Sequence, residues 1–205
     1  MDANSGSAYL FLYIYNKLIQ CLTIQTVLMS LSELPFYPVE FYEVLKANDP
    51  DHYFKAVHVY KFNAGGTRYL ATFEEYERHV YVLQFCLEES SETDDKFDRI
   101  ANVGPAVAKK VLVTCASIGL SILRENPLAS FFFTARPTAD KLGKEGKGRN
   151  KRLSVYQYFA VFFFDSDHFT HSCSDQRGSY LILNKKYEQQ EPDAKEKITD
   201  LLDTN

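Results

Sequence analysis

The chain has no tryptophan, two methionines, no Cys-x-x-Cys pair and no strong charge of either sign. Each absence excludes something. Cys21, Cys86, Cys115 and Cys173 stand far apart, which argues against a zinc ribbon or a thioredoxin-like redox site. Their even number permits disulfides, but the sequence opens Met1-Asp2 and lacks the basic start of a secretion signal. The formal net charge of -4 gives no global attraction to nucleic acid, so anion binding has to be local. No internal repeat, nucleophile elbow or Cys–His signature occurs, and His52, His58 and His79 are scattered. Nothing here forms a complete catalytic set.

What is present favours a folded core. Of 205 residues, 45% are hydrophobic and 15% aromatic, a composition that excludes a disordered chain and suits one domain with an appendage. Residues 8–31 are apolar, but Asn16, Lys17, Gln20, Gln25 and Thr26 interrupt the run. A membrane span wants about 20 mostly apolar residues, so the expectation is an amphipathic helix packed on the domain, a partner or a second copy. Met29 resembles a natural start. The expected organisation is an appendage at 1–30, one domain at 31–188 and a charged tail with a short helix at 189–205.

Prolines at 35, 38 and 50 mark turns, with a short helix expected near residues 39–46. Residues 53–62 then alternate, with Val57 and Val59 facing one way and His58, Tyr60 and Phe62 the other, which reads as a strand. Asn63-Ala-Gly-Gly66 reads as a hairpin turn into a second strand at 68–73. Residues 80–87 form an almost wholly apolar third strand. An acidic loop, 88–95, follows.

From residue 99 to 125 the spacing becomes helical, with Gly104-Pro105 marking a start and Asn126-Pro127 a stop. A fourth strand is expected at 128–134, a second helix through Leu153, Tyr156 and Phe163, and a fifth strand at 179–183. The resulting expectation is α+β: a mixed, mostly antiparallel five-stranded sheet of order β-β-β-α-β-α-β, with helices on a face.

Between the fourth strand and the second helix lies a glycine-punctuated basic loop, residues 141–152. It carries Lys141, Lys144, Lys147, Arg149, Lys151 and Arg152 against a single Glu145. Gly143 and Gly148 have phosphate-loop spacing, but Arg149 and Asn150 stand where lysine and a hydroxyl are needed. Gly146 and Gly148 fit the coenzyme A loop of the GNAT acetyltransferases, which place a strand, a loop of pattern [RQ]-x-x-G-x-[GA] and a helix in that order. Gly143 breaks the pattern at the first position. A GNAT-like acyltransferase using the 143–149 loop is therefore one alternative. A nucleic-acid-binding module using the cations of 141–152 is another. Asp167, His168, His171 and Cys173 are metal-ligand types without a standard zinc spacing, so no metal and no cofactor is expected.

Val59-Tyr-Lys-Phe62 with Gly65-Gly66, Tyr69 and Phe73, then Asp98-Arg-Ile100, Phe131-Phe-Phe133 and Arg152-Leu-Ser-Val-Tyr156 carry a resemblance. Over residues 57–183 the chain resembles small uncharacterised α/β proteins of bacteria, phages and mobile elements. The appendage and the long basic loop depart from that pattern. The resemblance implies a protein of the phage–host or mobile-element repertoire and says nothing about catalysis. Together with the lack of a complete catalytic set, it makes the expectation a cytoplasmic, non-catalytic protein that masks a macromolecular partner in conflict between a bacterium and its genetic parasites. A protein partner is favoured over nucleic acid, no membrane partner is expected, and any homo-oligomer would form through residues 8–31. Arg149 and Arg152 are the favoured contacts, because guanidinium forks onto carboxylate or phosphate.

Overall fold

The computed structural model describes residues 36–47, 54–94, 96, 103–135, 151–175 and 177–203. Phe36–Asn205 forms one compact unit. Its centre is a seven-stranded sheet of order β1-β2-β3-β4-β5-β7-β6. The strands are β1 (Val39–Lys46), β2 (Phe54–Ala64), β3 (Thr67–Tyr76), β4 (Val80–Leu87), β5 (Ser130–Thr134), β6 (Phe169–Ser174) and β7 (Ser179–Asn184). Helix α1 (Pro105–Glu125) joins β4 to β5, and α2 (Lys151–Phe163) lies between β5 and β6. Two short helices, α3 (Lys185–Gln190) and α4 (Ala194–Asp203), follow β7.

The mixed, mostly antiparallel α/β expectation holds, but its strand count and order do not. Seven strands replace five. Residues 39–46, expected as a helix, pair with β2 as an edge strand. Residues 169–174, where no strand was expected, pair with β7 at the other edge. The hairpin is as anticipated: Ala64 pairs with Thr67, Gly65 and Gly66 take φ of 62° and 87°, and Asn63 Oδ1 accepts from the Gly66 amide. Two successive positive φ values are what a two-residue hairpin loop demands, and glycine adopts them without a Cβ penalty.

Period-two alternation gives the sheet two buried faces. Phe62, Tyr69, Phe73, Tyr81, Phe131 and Ile182 face α1 and α2. Tyr76, Val80, Val82, Leu181 and Leu183 face the other way, where Tyr187 of α3 and Ala194 and Ile198 of α4 cover them. Helices thus lie on both faces, and the charged tail folds back onto the sheet. Helix α1 starts at Pro105, whose missing amide costs nothing at a first helical position. Among the described residues it is the one helix long and apolar enough to cross a membrane, by length and composition. Here its Val111, Cys115, Ile118 and Ile122 pack into the core.

Candidate functional site: a cavity in the split sheet

All adjacent strands pair antiparallel except β4 and β5, which run parallel. Their pairing covers only Val80–Ser130, Tyr81–Phe131 and Val82–Phe132. Beyond that rung each strand follows its other neighbour. Strand β4 stays with β3 as far as the Tyr69–Leu87 pair, and β5 stays with β7 as far as Thr134–Ser179. The carboxyl ends of two parallel strands therefore part, which is where open α/β sheets form ligand crevices.

A cavity of about 660 Å³ occupies this split. Such a volume suits a small molecule or the end of a long one. Leu83, Gln84, Phe85, Cys86 and Leu87 all line it. In a fully paired strand only alternate residues reach one face. Consecutive lining residues mean that the cavity reaches the open edge of β4 itself. Phe133, Thr134 and Ala135 form the opposite bank.

The roof comes from the two helices. Gly119 of α1 lies at the cavity wall, where a Cβ would stand 3.3 Å from Phe164 Cζ and 3.6 Å from Phe131 Cε1. Absence of a side chain there leaves the space open. Both helix starts also border the cavity, through Val103 and Ala108 of one connection and Arg152 and Val155 of the other. Helix α1 has no side-chain cap and no acid in its first turn, and Lys109 and Lys110 follow in the next. Helix amino ends attract anions through free amides and the macrodipole.

The polar lining is sparse. Arg152 and Tyr156 lie one turn apart on α2. Burial pushes the Tyr156 phenol up, and the Arg152 charge partly offsets it. Tyr156 is held by Phe133 at 5.8 Å and Phe85 at 6.1 Å. Burial also pushes the Cys86 thiol up and the Cys115 thiol to about 12. Both cysteines line the cavity as neutral thiols, so neither is a ready nucleophile near neutral pH. Asp94 is the one acid among the described lining residues, and it is exposed.

Of the residues singled out from sequence, Lys141, Gly143, Lys144, Gly146, Lys147, Gly148 and Arg149 lie outside the described residues. Lys151 begins α2 and Arg152 borders the cavity. The metal-type residues have separate partners. His168 Nδ1 meets Asp165 Oδ1 at 2.8 Å, and His171 uses Nε2 on the Phe164 carbonyl at 2.7 Å and Nδ1 on the Tyr180 hydroxyl at 3.1 Å. Cys173 Sγ accepts from Gln157 Nε2 and donates to Asp175. No group of three metal ligands occurs among the described residues. In the acidic loop Glu88 is engaged by Lys61 at 3.0 Å and Arg68 at 2.7 Å.

Fold and cavity together define a mixed α/β protein with a split sheet and a ligand-sized crevice. No family model, no curated protein and no solved structure matches the chain.

Proposed function

We propose that this chain is a GNAT-like protein that binds an acyl-coenzyme A, with the ligand in the β4–β5 split rather than on the 143–149 loop. The carrying observation is that residues 83–87 of β4, of both parities, line one cavity. An open strand edge offers alternating amides and carbonyls. A ligand arm bearing its own amides can pair with that edge, while the aromatic walls take an acyl chain. The strand–loop–helix order of an acyl-coenzyme A site occurs at β4–α1 as well as at β5–α2. The amino end of α1 and Arg152 supply the positive field for phosphate. The reading assigns binding; it assigns no group transfer.

Calorimetric titration of the whole chain with acetyl-coenzyme A and a longer acyl-coenzyme A tests it. One site per chain is expected, with affinity lost on Arg152→Ala. No heat and no thermal shift with either ligand removes the proposal.

A second reading, masking of a macromolecular partner in bacterium–phage conflict within the cytoplasm, draws support from β1. Phe41, Tyr42, Val44 and Leu45 are large apolar groups left exposed on this edge strand, and strand addition is a common recognition mode. Affinity capture with wild type and a Phe41→Glu/Leu45→Glu variant discriminates: a partner retained by both removes the role of β1.

A further inference from the structure

Helix α2 presents a second face, which among its exposed apolar residues meets the cavity only at Val155. Leu153, Ala160 and the adjoining Phe164 are buried against the core. Val155, Tyr158, Val161 and Phe162 are between 41% and 55% exposed on the opposite side. Positions 151, 155, 158 and 162 recur at steps of four, three and four, the spacing of a seam between two packed helices, and position 165 lies two residues past the helix end. Charge is confined to the ends of this seam. Lys151 opens the helix, and exposed Asp165 and Asp167 follow its close, while Arg152 borders the cavity.

We propose that α2 pairs antiparallel with α2 of a second copy, about a two-fold axis at Tyr158. That axis places Val155 opposite Val161 of the second copy and Tyr158 opposite itself. It also sets position 165 of each chain against position 151 of the other. Acid then meets the basic, dipole-positive start of the facing helix at both ends. The same patch serves both subunits, so the assembly closes as a dimer. An anionic bilayer fits less well, because Asp165 and Asp167 at the end of the stripe would face the lipid charge. The dimer does not require the ligand reading, although Val155 borders both surfaces, and residues 8–31, where self-association was expected, lie outside the described residues.

The test uses the full chain in sedimentation equilibrium. Wild type is expected to be a dimer. Tyr158→Lys sets two cations against each other on the axis and weakens association by at least about ten-fold. Circular dichroism stays unchanged, since Tyr158 is 55% exposed within one chain. In a Cys21→Ser/Cys173→Ser background, Tyr158→Cys is expected to cross-link to itself under mild oxidation, while Thr199→Cys on α4 does not. A monomeric wild type overturns the proposal, as does a dimer indifferent to Tyr158→Lys. So does a monomer that sediments with phosphatidylserine vesicles in a Tyr158-dependent way.

Discussion

Val82 of β4 and Phe132 of β5 form the last rung between the two parallel strands of the sheet. Past them β4 continues to Leu87 and β5 to Thr134 without meeting. Each strand keeps an antiparallel partner on its outer side to its end, and the twist of the sheet carries the two halves apart. The split therefore needs no special loop. It follows from giving β4 and β5 different neighbours and a short shared register.

Gly119 tests whether the space under α1 is functional. In Gly119→Ala the new Cβ meets ring tips of Phe164 and Phe131 that border a void and can yield. The helix gains about 1 kcal/mol in propensity. Net stability is expected to change by less than about 1 kcal/mol. Gly119→Leu instead fills the cavity and should weaken acyl-coenzyme A binding at least ten-fold, roughly the worth of 1.4 kcal/mol. Paired thermal melts and titrations separate the two effects. Unchanged affinity in a folded Gly119→Leu protein would place the ligand elsewhere.

Asn184 tests what holds the β5 side of the split. Its Nδ2 donates to the carbonyls of Pro127 and Ala129 at 3.0 and 3.2 Å, and its Oδ1 accepts from the Lys186 amide at 3.0 Å. One buried side chain thus ties the turn before β5 to the start of α3. Asn184→Ala removes a helix cap and leaves buried carbonyls without donors. The expected loss is about 2–4 kcal/mol. Asn184→Asp keeps the cap and loses the donors, so it should fall between the two in urea denaturation.

The sequence made β2, β3, β4 and α1 legible because their periods are clean. Strand β1 was hidden by its own irregularity. The pairing shifts between Phe41 and Glu43, leaving Tyr42 as an extra residue. A bulge breaks the period of two, and the apolar positions 41, 44 and 45 then mimic a helical face. Strand β6 reads as polar because it is an edge and only Phe169 is buried. The cavity had no motif to betray it, since its walls come from six elements, β3, β4, α1, β5, α2 and β7, spread along the sequence. One signal existed: residues 80–87 are apolar at both parities, as expected of a strand whose faces and edge are all enclosed.

Alkaline pH is expected to destabilise the fold. Burial raises Tyr60, Tyr76 and Tyr180 from 10.0 to about 12, and Cys115 from 9.0 to about 12. Charges on Glu125 and Tyr81 add to the effect at Tyr60, and Glu74 adds to it at Tyr76. The folded state keeps these protons where the unfolded chain has lost them, so unfolding releases protons in this window. The stability they contribute is complete below about pH 9 and is lost progressively as pH rises toward about 12. Melting temperature should decline from about pH 9 upward. Tyr60→Phe, which removes one titrating phenol, should flatten that decline. An equally steep fall in the variant would exclude Tyr60 as a contributor.

The cysteines report on occupancy without altering the site. Cys173 is exposed, Cys86 is half-buried at the cavity, and Cys115 is enclosed. Burial is the leading cause that raises all three thiols, with Asp175 adding to it at Cys173. Alkylation depends on both access and the thiolate fraction. Among the described cysteines, iodoacetamide at neutral pH should therefore modify Cys173 first, Cys86 slowly and Cys115 only on unfolding. An acyl-coenzyme A has no free thiol to consume the reagent. At saturation it should slow Cys86 at least several-fold while leaving Cys173 unchanged, as read by peptide mass spectrometry. The contrast matters, because a global tightening of the fold would slow both sites together. Protection of Cys86 alone places the ligand against the open edge of β4. Equal rates at Cys86 with and without ligand would remove it from the split.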